Sequence, residues 1–281
     1  MPTTEMKISA LQQAAKAAPE YAAITMLFSA VYGYLLNREG RTGINIDVSA
    51  INRAERTANH FPLISPTDIS IERGDFIEFV VGVITVLEQQ GKEGGDELAG
   101  ISRALSAGDI DPDPLLIAIL ERRRGPIDEA ASSLKVPAPL LEYIFEIPFK
   151  TALENFAAGI PGDAFTEWQE SICPVCGARP SMAELSGEEG RRLLSCSACF
   201  YTWPFKRLKC PSCGCEDVDK LSYFTAGEGG ATRVDTCRAC SRYIKTRDSR
   251  KGGGEVPLEI EDLLTIHLDL LASREGFERG K

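Results

Sequence analysis

Apolar residues recur at three-to-four spacing from the start of the chain. Leu11, Ala14, Ala15, Ala18, Ala22 and Ile24 keep this period, which predicts helix. A denser stripe, Phe76, Phe79, Val80, Val83, Ile84 and Leu87, predicts a second helix. It is expected to start at Gly74-Asp75, with Asp75 and Glu78 forming a capping box, and to end at Gly91. The charged, glycine-rich run 91–96 reads as a loop. Further helices are expected over 98–107, 113–123, 127–134 and 139–158. Pro148 should kink or break the last of these. Phe145, Phe149, Ala152, Leu153 and Phe156 share one face there, and such stripes read as core packing.

From Ile172 the helical period disappears. Gly, Cys and Pro punctuate short β-favouring runs at 192–195, 200–208, 220–224 and 232–236, which read as strands and hairpins. A glycine turn at 227–230 separates 217–224 from 231–236. A linker at 251–254 leads into one amphipathic helix over 258–273, with Ile260, Leu263, Leu264, Ile266, Leu268, Leu270 and Leu271 as its apolar arc.

The chain has 281 residues, enough for one large or two modest domains. The formal charge of −10 is uneven: residues 173–250 hold 13 Lys and Arg against 9 Asp and Glu, the remainder 18 against 32. The basic segment keeps nucleic acid open as a partner, and the acidic body counts against it. The opening MPTTEMKISA has neither a basic n-region nor an apolar h-region, which predicts a cytoplasmic protein with reduced thiols. The richest apolar stretch, 21–37, is shorter than the roughly 20 residues of a bilayer span and contains Ser29, Gly33 and three tyrosines. It reads as a buried helix, and no membrane insertion is expected.

The strongest chemical pattern lies in the cysteines. Eight of nine form four Cys-x-x-Cys pairs: Cys173/Cys176, Cys196/Cys199, Cys210/Cys213 and Cys237/Cys240. Two residues between sulfurs let both thiolates of a tight turn face one cation, and two such turns complete a tetrahedral site. Disulfides belong to oxidising compartments and short secreted scaffolds, which this chain does not resemble. Consecutive pairing is the simplest topology. It closes one site over 19 residues (Cys173, Cys176, Cys196, Cys199) and the other over 23 (Cys210, Cys213, Cys237, Cys240). Pairing the first knuckle with the third is the alternative. Glycine follows the second cysteine in CPVCG and CPSCG, where it allows the positive φ that turns backbone N–H groups toward sulfur. Cys215 reads as filler, and His60 and His267 as surface or core residues. Tetrahedral four-sulfur sites accept zinc or iron alike. A closed shell leaves no position for substrate, and no nucleophile elbow, P-loop or dinucleotide fingerprint is present, so an enzyme is not expected.

These features predict an α+β protein. Residues 1–165 form a helical domain, 166–205 and 206–250 two four-cysteine rubredoxin-like modules of short β-hairpins, and 251–281 a linker and C-terminal helix. Four stretches, CPVCGARP (173–180), LLSCSACFYTWPFKRLKCPSCG (193–214), LSYFTAGEGGATRVDTCRACSRYIKTRD (221–248) and VPLEIEDLLTIHLDLLASREGF (256–277), resemble the formate dehydrogenase accessory protein family, FdhE. The likeness is close over the last 105 or so residues and weaker at INRAERTANHFPLISP (51–66). Pro204 after Trp203, and Cys215, depart from the family pattern.

The resemblance implies a non-catalytic cytoplasmic assembly factor that binds the catalytic subunit of a formate dehydrogenase. It implies iron in both four-cysteine sites, with zinc as the alternative, and a need for the eight knuckle cysteines in partner binding. Trp203, Arg207, Lys209, Arg242 and Lys245, beside Phe205, Tyr223, Phe224 and Tyr243, form the expected partner-binding patch, since aromatic and arginine-rich surfaces suit protein recognition; the alternative is that most of these aromatics pack the small metal modules, whose cores are otherwise thin. The competing classes are a zinc-ribbon nucleic-acid-binding protein and a rubredoxin-like electron carrier.

Overall fold

The computed structural model of the chain describes residues 1–280 apart from 39, 50, 92–93, 122, 227–229 and 253–254. In chain order the helices are α1 Thr4–Ala17, α2 Ala22–Asn37, α3 Arg53–Ala58, α4 Arg73–Gln90, α5 Gly95–Ala107, α6 Pro112–Leu120, α7 Gly125–Leu134, α8 Ala138–Ala158, α9 Leu258–Leu264 and α10 Ile266–Arg274. The strands are β1 Ile44–Ile46, β2 Ile69–Ile71, β3 Pro180–Ser186, β4 Arg191–Cys196, β5 Thr202–Pro204, β6 Leu221–Phe224, β7 Thr232–Cys237, β8 Arg242–Asp248 and β9 Glu278–Arg279. The fold is α+β. Parts of the predicted 91–96 loop, the 227–230 turn and the 251–254 linker lie outside the described residues.

The chain packs as two compact units. The first comprises Thr3–Ala50 and Ile64–Phe156; the second Met1–Pro2, Ile51–Leu63 and Ala157–Lys281. In the first unit, the predicted stripe of α4 is buried throughout, from Phe76 to Leu87. Each such side chain contributes about 1.5–3 kcal/mol on leaving water. Gly82 lets α2 approach α4: a Cβ there would lie 2.1 Å from the Tyr34 hydroxyl oxygen, which donates to the Phe79 carbonyl at 3.1 Å. Lys7 of α1 is fully buried and pairs with Glu154 of α8.

Several local expectations are corrected here. No capping box starts α4: its N-cap is Glu72, without a side-chain cap bond. Helix α8 runs unbroken through Pro148, because Leu141, Ile144, Phe145, Ile147, Phe149 and Leu153 are buried on both sides of it. That packing outweighs one lost backbone bond. The short antiparallel ladder β1–β2 interrupts a region read as wholly helical; three-residue strands are too brief for a period to register. The terminal helix is two helices, broken at Thr265, whose hydroxyl turns back to the Glu261 carbonyl at 2.6 Å.

In the second unit each pair of knuckles is joined to three antiparallel strands, β3–β4–β5 and β6–β7–β8. The two triplets form one sheet, ordered β5-β4-β3-β8-β7-β6, fused where β3 and β8 run parallel. Glu184 and Arg247 face each other across this seam and pair at 2.7 Å. Strand β9 lies beside the start of β8. Helix α10 covers the sheet through Leu268 and Ala272, packed with Val234 and Tyr243.

Beneath these helices, Lys245 of β8 is fully buried. Its ammonium lies 2.8 Å from the Asp262 carboxylate and 2.7 Å from that of Asp269. Tyr243 donates to Asp269 at 2.7 Å, and Arg279 pairs with Asp262. A buried ion pair loses most when one partner is removed, since the other charge stays stranded in low dielectric. Lys245→Ala is therefore expected to cost about 3–5 kcal/mol in urea unfolding of the metal-loaded protein. A loss below about 1 kcal/mol, the scale of a surface pair, would show that this network does not hold α9 and α10 to the sheet.

Candidate metal centres

The knuckle turns bring the eight cysteines into two groups in consecutive order, not first with third. Cys173, Cys176, Cys196 and Cys199 form one; Cys210, Cys213, Cys237 and Cys240 form the other; in each the Sγ atoms all lie within 4.8 Å of one another. In the first, Cys173 and Cys199 are 3.5 Å apart, Cys176 and Cys196 3.4 Å, and Cys176 and Cys199 3.6 Å. In the second, Cys210 and Cys240 are 3.8 Å apart and Cys213 and Cys237 3.7 Å. A tetrahedron with metal–sulfur bonds near 2.3 Å has edges of about 3.8 Å, and a disulfide needs about 2.05 Å. Each cluster fits one tetrahedrally held cation.

The local backbone explains this convergence. In CPVCGA the Gly177 N–H closes onto the Cys173 carbonyl at 2.9 Å, and the Cys173 N–H onto Ala178 at 2.8 Å. CPSCGC repeats both bonds, Gly214 to Cys210 at 2.9 Å and Cys210 to Cys215 at 2.8 Å. Cys215 thus occupies the position of Ala178 and closes a turn through its carbonyl; it belongs to neither cluster. The residue after the second cysteine has positive φ in all four knuckles: Gly177, Phe200, Gly214 and Ser241, at 73°, 57°, 74° and 55°. Sequence reasoning missed Phe200 and Ser241 because only glycine advertises that conformation, although position within the repeat marked them. The turns aim backbone N–H groups at sulfur, from Val175 to Cys173 at 3.4 Å, Ala198 to Cys196 at 3.3 Å and Ser212 to Cys210 at 3.4 Å.

Burial pushes the Cys173 and Cys199 thiols up, while hydrogen bonds from its three neighbours outweigh burial at Cys196 and bring it well down. Four sulfurs so close together, three of them buried, cannot all carry charge unaided; a bound cation would resolve the conflict by deprotonating its ligands. The second cluster is more open. Cys213 is exposed and Cys240 half-buried, whereas in the first only Cys176 is not fully buried. Burial still raises Cys237, to about 11.

The expected partner patch divides. Arg207 is exposed, and Lys209 and Arg242 are half-buried. Trp203 and Lys245 are corrected: both are fully buried. The Trp203 indole donates to the Glu170 carbonyl at 3.1 Å, and Lys245 serves the carboxylates under α9 and α10. In each case an amphipathic side chain fills core volume while its polar end is satisfied internally. Phe205 and Tyr243 are buried as well, while Tyr223 is exposed. His60 and His267 are exposed and outside both clusters.

A helical unit, with two four-cysteine clusters on one fused sheet, defines a metal-binding protein of the double-knuckle class. Comparison with known proteins narrows this. The chain is 41% identical over 113 residues to an FdhE homologue of Aquifex aeolicus, covering 39% of this chain and 40% of that protein. It is 36% identical over 131 residues to the Edwardsiella ictaluri homologue, covering 45% and 42%. With Protein FdhE of Salmonella choleraesuis it shares 35% over 131 residues, covering 45% and 41%. These matches span about two fifths of each relative's length. No family model matches. The crystal structure of the FdhE protein from Pseudomonas aeruginosa shares the fold over 99% of this chain and 94% of that one, at a TM-score of 0.72 and 18% identity. Over the matched stretch the chain is similar to FdhE proteins, and over nearly its whole length it shares the fold of one of them. Among the described residues no helix is long and apolar enough to cross a membrane.

Exposure sets the order of metal loss. A chelator is expected to strip the second cluster before the first, giving two phases of release in a chromogenic assay. Cys237→Ser with Cys240→Ser should then retain the slow phase alone. A left-handed alanine costs roughly 1–2 kcal/mol at either glycine, but a Cβ at Gly177 would also meet Pro62 Cγ at 3.0 Å, whereas at Gly214 the nearest atom, Lys209 Cε, is 3.9 Å away. Gly177→Ala should therefore lower Tm more than Gly214→Ala. Equal losses would mean that the contact with Pro62 contributes nothing.

Proposed function

We propose that this protein is a cytoplasmic, non-catalytic accessory factor that binds the catalytic subunit of a formate dehydrogenase and supports its maturation. The observation that carries the reading is the 41% identity with an FdhE homologue, joined to two clusters whose four sulfurs each would complete a closed shell. In this reading the eight knuckle cysteines hold two metal ions, with iron favoured by the family resemblance and zinc also compatible with four thiolates. A closed shell offers no open coordination position. The metal's contribution is then to hold the knuckles, and with them the surface around the second cluster, in one shape.

That surface supplies the docking chemistry. Arg207 is exposed, and Tyr223 and Leu208 are 61% and 55% exposed. Basic and apolar groups so placed suit an acidic protein surface with an apolar centre.

Affinity capture of the tagged protein from its host tests the role. Wild type is expected to recover a formate dehydrogenase catalytic subunit, and the Cys237→Ser, Cys240→Ser variant to lose it. Arg207→Gln with Arg242→Gln should weaken capture while both metal ions stay bound. Metal loss in that variant would make these arginines structural. Enrichment of nucleic acid or a redox protein in place of the dehydrogenase would overturn the reading.

A further inference from the structure

Beside the second cluster lies a cavity of about 100 Å³, lined by strands β6, β7 and β8 and by the segment leading into Cys210. Five cationic side chains line it, Arg192, Arg207, Lys209, Arg233 and Arg242, against one carboxylate, Asp235. That carboxylate is already engaged. Arg233 donates to one of its oxygens at 2.7 Å and the Thr246 hydroxyl to the other at 2.8 Å. Arg192 reaches it only at 3.6 Å. Arg207 has no ion pair among the described residues, which leaves the lining with unmatched positive charge.

The metal cluster does not balance this excess. Arg242 pairs with Glu278 at 3.3 Å and Arg233 with Asp235, so Arg192, Arg207 and Lys209 remain; four thiolates around a divalent ion would carry two negative charges, fewer than these three. Arg192 presents the sharpest imbalance. It is 4% exposed, and it enters from β4 to donate to the Lys209 carbonyl at 2.9 Å. Its Nε–H is buried with no partner among the described residues, and an unpaired buried donor is costly. Burial works against its charge. An anion in the cavity would offset the charge that burial disfavours.

We propose that this cavity binds a single oxyanion group, a carboxylate or a phosphate, held by the guanidinium groups of Arg192, Arg207 and Arg233 that line it. Size supports a small group. One water needs roughly 10–15 Å³ of such space, so about 100 Å³ admits an oxyanion with a few waters. A nucleotide or an organic cofactor takes a pocket of roughly 300 Å³ or more. Charge-assisted bonds from guanidinium to oxyanion are the strong, directional kind. Arg233 is held in place by stacking 4.2 Å above the Tyr223 ring.

The test uses the metal-loaded full chain, labelled with ¹⁵N, and follows arginine Nε–H signals by NMR. Inorganic phosphate and acetate are titrated separately at constant ionic strength. A saturable shift of the Arg192 signal, with Kd in the millimolar range or tighter, is expected for at least one probe. Arg207→Gln with Arg233→Gln should weaken binding by about tenfold or more while two metal ions remain bound. No saturable shift with either probe, or an unchanged Kd in the double variant, overturns the proposal. Capture of the dehydrogenase subunit by Arg233→Gln alone, which leaves Arg207 in place, separates the sources: loss assigns the group to a partner polypeptide, and full capture assigns a free ion. The titration needs no partner, so its failure leaves the accessory role untouched.

Discussion

Four sulfurs held within 4.8 Å of one another, twice over, form the constraint on which the second unit depends. Thiols crowded this closely and largely out of water have no comfortable charge state of their own. The turns that crowd them are themselves left-handed at the residue after each pair, a conformation that costs energy for Phe200 and Ser241. Such geometry persists where a stronger interaction over-determines it, and a cation shared by four thiolates is the interaction these clusters fit. Strands β4 and β7 end in Cys196 and Cys237, so the register of the sheet is tied to the geometry of sulfur.

The sheet in turn joins what the cysteine spacing divides. Parallel pairing of β3 with β8 makes one surface of the two modules, with the Glu184–Arg247 pair at the join. Arg192 crosses in the same way. It belongs to β4, between the first two knuckles, and it donates to the carbonyl next to Cys210 in the third. A change in either module therefore has a path to the other through buried charge as well as through backbone. Charges buried at such joins contribute little net stability when paired and cost much when unpaired, which makes them specify one arrangement of the modules over looser ones.

Exposure then separates the two clusters. The first is buried and braced by aromatic side chains: Trp203 donates to Glu170 and Tyr201 to Pro161. The second leaves Cys213 at the surface, beside the cationic cavity and the exposed Tyr223. One cluster lies in the interior of its unit, and the other lines the cationic cavity through Cys210 and Cys237.

Elements with a local cause are legible in the residues alone. The α4 stripe shows its period because a helix face repeats every three to four residues. The four Cys-x-x-Cys turns show their chemistry because two sulfurs on one tight turn must face one point. The consecutive grouping of knuckles followed from short connections. Contacts distant along the chain settled the rest. Pro148 stays within α8 because packing on both sides outweighs its lost bond, and Thr265 divides the last helix through a contact no period records. Trp203 and Lys245 suited the surface or the core alike because their side chains are amphipathic; their burial depends on strands and helices distant in sequence. The Arg192 cavity was hidden for the same reason, since its charges come from separate strands and meet only once β3 and β8 have paired.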